Sequence, residues 1–307
     1  MSLKPTSQPF QPKAEQKPVQ KPVQPTEPHY DADFPEVRPL PDFQVTLVAR
    51  DGVRFRVSAN VLRTASSVFD GMLAMPQPNE NSGKEILIDT LDEDGANIKI
   101  ILQIISGKEY PDIHMNFDAI RSVALAAEKW DMPGPPSMCK MLLLNPELVR
   151  AHAVGAYWAG CHFQWKEVVE MASGYTYHRE LFNTKLHPLL NSMSAVDLLR
   201  LIAFHRKRHE TMLTWFEAKG KTSSIVSSEI LWDYFPAYNN FKYKVLDYME
   251  TLPPFADVDY VSVHELALLS QLTHARTSEV RSRSPDVPVL VREVLLQYCN
   301  LPRTVSL

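Results

Sequence analysis

Between residues 45 and 57 every second side chain is apolar, on either side of an Asp-Gly pair. Val53, Phe55 and Val57 alternate with Arg54 and Arg56, and Val45, Leu47 and Ala49 occupy one phase of the preceding run. Period two places one set of side chains on one face of a pleated strand. Asp51-Gly52 supplies the positive φ that a two-residue hairpin turn demands. The stretch therefore predicts a β-hairpin with one buried face.

The segments after it switch period. Ser58 is placed to cap a short helix burying Val61 and Leu62, and Ser66 to cap a second burying Phe69, Met72 and Leu73. Residues 75–83 form a loop by composition, and Ile86-Leu87-Ile88 reads as a third strand. Ile98, Ile101, Leu102 and Ile105 recur at helical spacing up to Gly107, as do Ile120, Val123, Ala124 and Ala127 up to Asp131-Met132-Pro133-Gly134. Beyond Pro135 every strong periodicity is helical, with helices expected near 136–144, 146–158, 165–173, 195–217, 240–250, 262–274 and 288–299. Ser194-x-x-Asp197 and Ser262-x-x-Glu265 look like N-terminal capping signals.

Ten of the 24 prolines precede Asp42, and Lys-Pro-Val-Gln repeats in tandem between Lys17 and Gln24. Proline removes helix and ladder donors, while Gln and Lys offer little surface worth burying. Residues 1–41 thus read as a disordered tail, acting as a spacer rather than as a ligand for a proline-recognition domain. The expected layout is an α+β, mainly α chain: the tail, an α+β domain over 42–144, and helical regions over 145–219 and 220–307.

Charge and composition exclude several classes. A formal charge of −4 and a pI near 6.2 argue against a nucleic-acid binder working through bulk positive charge. Cys139, Cys161 and Cys299 are too few and too scattered for a disulfide framework or a cysteine zinc cluster. No run approaches the roughly 20 apolar residues of a membrane helix. The N-terminus lacks the apolar core of a signal peptide, and no Asn-x-Ser/Thr acceptor occurs. The expectation is an intracellular protein of cytoplasm or nucleus.

The pattern Phe55-x-Val57-x-x-x-x-Leu62-x-x-x-Ser66-x-x-Phe69-x-x-Met72-Leu73 resembles the BTB/POZ domain. Val45-Thr46-Leu47 before it, Ile86-Leu87-Ile88 after it, Leu102 to Gly107, and Ala126-Ala127-Glu128-Lys129-Trp130-Asp131-Met132 keep the family's order and spacing over about residues 42–144. The phrase from Phe69 to Pro78 is most similar to BTB proteins of mushroom-forming fungi. Three positions depart from the family: Gln44 stands for an Asp, Ser58 for a His and Ile105 for a Tyr.

What the resemblance implies is a protein–protein interaction module without catalysis or cofactor of its own, often homodimeric through the helix after the hairpin. Val61 and Leu62 are adjacent, so that helix carries an apolar arc too wide for the hairpin alone to cover. The expected interface residues are Asn60, Val61, Arg63, Thr64, Met75 and Gln77. Partners would be a second copy and unidentified proteins. A narrower version is a substrate adaptor of a cullin-type ubiquitin ligase. Family members of that kind carry a hydrophobic-x-Glu motif, and the nearest match, Met75-Pro76-Gln77, lacks the acid.

Chemical motifs carry less. His205 and His209 share a helix face at zinc-binding spacing, but Arg206 stands where a zincin needs Glu, and Leu198, Leu201 and Ile202 argue for a partly buried structural His205. The basic run from Arg200 to Arg208 reads as a solvated helix face. Gly220-Lys221-Thr222 ends like a phosphate loop, yet Trp215 occupies its first glycine position. Cys161 and His162 are neighbours on a helix and point apart. Trp158, Trp165, Trp215 and Trp232 read as staples of the helical region. An enzymatic alternative would need His152, His162, His205, His209 or His264 to converge with a carboxylate.

Overall fold

The computed structural model describes residues 29–35, 43–75, 85–88, 92–108, 113–222, 231–254, 262–263 and 287–305. β1 (Gln44–Val48) pairs antiparallel with β2 (Arg54–Ser58) and parallel with β3 (Glu85–Ile88), giving the strand order β2-β1-β3. Val45 faces Val57 and Leu47 faces Phe55 across the hairpin, all four buried. Being central, β1 is enclosed on both faces: Thr46 and Val48, on the other phase, are buried too, so the expectation of a single buried face holds only for β2 from Arg54 to Val57.

The hairpin turn also differs from the expected two-residue type. Gly52 N–H donates to Ala49 O at 2.9 Å and Ala49 N–H to Val53 O at 2.9 Å, so Arg50, Asp51 and Gly52 form a three-residue loop. Gly52, at φ +81°, takes the left-handed position that closes it.

Helices α1 (Ala59–Ala65), α2 (Ser67–Ala74), α3 (Gly95–Ile105), α4 (Phe117–Lys129) and α5 (Gly134–Leu142) complete the first third of the chain. As its sequence foretold, α3 ends at Gly107: Gly107 N–H reaches Ile104 O and Lys108 N–H reaches Gln103 O, closing the last carbonyls. Asp131 performs the same role for α4 at φ +49°.

The described residues beyond α5 form the helices α6 (Pro146–Ala151), α7 (Ala153–His162), α8 (Lys166–Tyr175), α9 (His187–Ser192), α10 (Ala195–Thr222), α11 (Leu231–Glu250) and α12 (Val287–Cys299). The single helix expected over 146–158 is two, broken at His152. The α10 start is the capping signal read from sequence: Asp197 N–H donates to Ser194 Oγ at 3.1 Å. The helix expected over 262–274 and its Ser262 cap lie largely outside the described residues. Every residue from Ala153 to Gly160 is buried, so α7 is the axis of the helical packing rather than a surface helix.

Two apolar cores result. The first runs from Phe34 through the sheet and α1–α8 to Leu201 and Phe204, and also takes in Val305. The second joins Met212 and Phe216 to α11, α12 and Leu301. The boundary drawn at 219/220 therefore falls inside α10, which contributes to both cores; no core boundary falls at 144/145 either. Residues 29–35, read with the tail, pack against β2 instead, with Phe34 in the first core. The tail's other residues lie outside those described.

Candidate protein-interaction surface

The junction of α1 and α2 is fixed from below. Ser66 Oγ accepts the Phe69 N–H at 3.1 Å, capping α2 as expected, and donates to Trp130 O at the end of α4. Ser67 Oγ donates to Asp131 beside it, and Phe69 meets Trp130 edge to face at 5.7 Å. Leu62 and Phe69 thereby point inward.

What remains outward is apolar. Val61 is half-buried, while Val68, Met72 and Met75 are 41%, 37% and 62% exposed. Spacings of four and three put the last three on one side of α2 and its C-terminal cap. Met72, expected in the core, belongs to this outer stripe, because Phe69 and, one turn later, the half-buried Leu73 occupy the inward phase. Asn60, Arg63 and Thr64 are exposed around it, and Arg63 Nε pairs with Asp70 Oδ1 at 2.8 Å across the two helices. Gln77 lies outside the described residues.

The three family departures have definite places. Gln44 and Ser58 are direct partners across β1 and β2. Ser58 does not cap α1: its Oγ is buried without a hydrogen bond among the described residues. The helix entry is held by backbone instead, Ala59 N–H to Phe43 O at 2.8 Å. Ile105 packs partly buried against the first core.

A cleft beside the hairpin tip is lined by Arg50, Asp92, Glu93, Asp94, Asn97 and Lys129. Its charges pair with one another: Arg50 with Asp94 at 2.6 Å, Lys129 with Asp92 at 3.0 Å and with Glu93 at 3.1 Å. Hydrogen bonds to Asp92 and then Glu93 raise the Lys129 pKa.

His152, His162, His205 and His209 do not gather around a carboxylate, though His178 lies near His205, ring centroids 6.3 Å apart. His152 stacks on Phe117, His162 Nε2 lies 2.8 Å from Glu128, and His209 lies 4.0 Å from Glu250. His205 is a buried structural histidine, Nε2 3.0 Å from Thr176 Oγ1. His264 lies outside the described residues. Among those described, no three His, Cys, Asp or Glu side chains converge as a metal site requires. Cys161 and His162 do point apart; burial pushes the Cys161 thiol up to about 11. The basic run is not wholly solvated: Arg206 pairs with Glu210 outside, but Arg208 is buried and donates to Pro302 O. Residues 220–222 simply continue α10. Trp158 and Trp165 pack in the first core and Trp215 against the second; the Trp232 side chain lies outside the described set.

The exposed stripe on α2 only partly coincides with the interface residues expected from sequence. Sequence reasoning named the α1 side and Met75 but gave Met72 to the core and passed over Val68. The signal was present, since Val68, Met72 and Met75 keep helical spacing along a face turned away from Phe69. No helix among the described residues is long and apolar enough to cross a membrane. Residues 42–147 match the BTB/POZ domain model. No curated protein matches the chain.

Proposed function

We propose that this chain, whose BTB/POZ domain is followed by a helical region, is an intracellular interaction module without catalysis of its own. It self-associates through α1 and α2 and presents its helical region to further protein partners. The observation that carries this reading is the outward stripe of Val68, Met72 and Met75 on α2, beside α1 with its half-buried Val61 and exposed Asn60, Arg63 and Thr64. Apolar side chains gathered on one face and rimmed by polar ones mark association surfaces. A two-fold contact doubles the effect of any charge placed in it, because each copy meets its own image. Light scattering at low micromolar concentration tests it: the wild type is a dimer, and Val61→Asp or Met72→Asp is a folded monomer. A wild type that runs at its chain mass of 34.9 kDa overturns the dimer.

A narrower reading makes the module a cullin substrate adaptor. Met75, where the hydrophobic-x-Glu motif would begin, is exposed. Binding of a purified cullin N-terminal domain, lost in Met75→Glu, tests that version separately.

A further inference from the structure

Residues 29–35 lie on the main body as a peptide ligand would. Arg54 N–H donates to His29 O and Asp31 N–H to Arg54 O, both at 2.9 Å, a parallel bridge centred on Tyr30. Arg56 N–H donates to Phe34 O at 3.2 Å. These bonds use the edge of β2 that does not face β1, so the segment augments the sheet by a single bridge instead of a ladder. Its specificity elements are separate from the backbone. Phe34 is 1% exposed and meets Phe55 edge to face at 6.1 Å, with the Lys108 ammonium 3.8 Å from its ring centroid. Lys99 Nζ lies 2.8 Å from Asp33 Oδ2 and 3.2 Å from Asp31 Oδ2, and Gln103 adds a bond to Asp33 at 3.3 Å.

The receiving groove is built without this segment. β2 is held by β1, while Lys99 and Gln103 sit on α3, which is anchored by fully buried Ile98, Ile101 and Leu102. The occupant is held by one bridge, the Arg56 N–H and Lys108 ammonium bonds to Phe34 O and Asp33 O, one buried ring and partly exposed ion pairs, of which the last individually contribute little. It belongs to the same chain as the groove, so its docking is intramolecular, which keeps a weak contact closed.

We propose that the β2-edge groove is a peptide-docking site, occupied in cis by His29 to Pro35. It opens to a partner protein's extended acidic segment of the same chemistry: two carboxylates at alternate positions for Lys99, then an aromatic ring for the pocket beside Phe55. None of its residues belongs to α1 or α2, so it stands independently of the dimer.

The test uses the full chain with Asp33→Lys and Phe34→Ser together, which ejects the cis segment. The probe is a fluorescein-labelled peptide His-Tyr-Asp-Ala-Asp-Phe-Pro, followed by anisotropy. The double variant binds it at least tenfold more tightly than the wild type, adding Lys99→Glu abolishes binding, and a peptide with both Asp changed to Asn binds at least tenfold more weakly. A double variant that keeps its circular dichroism and binds no more tightly than wild type overturns the proposal. So does an Asn peptide that binds as well as the Asp peptide. If the double variant is folded but destabilised, a rise in its melting temperature on adding the peptide upholds the proposal, and no rise overturns it.

Discussion

His205 carries a pH dependence that follows from where it sits. Burial first, then the nearby His178 and Arg208, push its imidazole down to about 3. An unfolded histidine titrates near 6.5, so between those values the unfolded state binds the extra proton. The stabilising contribution of neutral, buried His205 is thus complete above pH 6.5 and is lost as pH falls toward 3. Stability should drop by about 2 kcal/mol from this group between pH 7 and pH 5. Urea midpoints at the two pH values measure it, and His205→Gln should flatten the difference. Phe55 tests a different residue-scale claim. It is fully buried opposite Leu47, and Phe55→Ala should cost about 3–5 kcal/mol by chemical denaturation. Both sites were readable in sequence, Phe55 from strand period two and His205 from its apolar helix neighbours. Phe34 was not, because a ring set between prolines has no period to announce its burial.

At the scale of elements, the caps show what local sequence can and cannot settle. Ser58 and Ser66 both precede helices, yet only Ser66 caps, because the entry to α1 is fixed by the Ala59-to-Phe43 backbone bond. Ser66→Ala removes both the cap and the link to Trp130 O, and a loss of about 1–2 kcal/mol in thermal or chemical unfolding is expected, with Ser58→Ala near neutral. The α7–α8 contact was invisible in sequence for a related reason. A Cβ on Gly160 would lie 2.9 Å from the Val169 backbone nitrogen and 2.7 Å from its Cγ2, so the two helices meet backbone to backbone there. Gly160→Ala should push them apart and destabilise the protein by about 1–3 kcal/mol, read in its unfolding midpoint. Helical period located α7 and α8; which glycine let them touch depends on their crossing, which no local pattern encodes.

Over the whole molecule, α10 and the residues after α12 tie the two cores together. Arg208 lies between the rings of Phe204 and Tyr298 and donates to Pro302 O, while Val305 N–H donates to Ser173 Oγ at 2.8 Å. Arg208→Ala leaves that carbonyl unanswered and should cost about 1.5–3 kcal/mol in chemical denaturation, the range for a hydrogen bond to a charged group. It should also speed amide exchange at Val305, because the segment of residues 301–305 is then held by one bond fewer. That return of the chain has a further consequence, for the order in which the protein can be made. The first core is assembled from residues up to Phe204, yet its last apolar member is Val305, about a hundred residues later. At a synthesis rate of about 5–20 residues per second, the nascent amino-terminal part waits some 5–20 seconds with the place of Val305 unfilled. During that interval Ser173 faces an open slot on the growing chain, a window in which a chaperone or a premature neighbour has access that the finished protein denies.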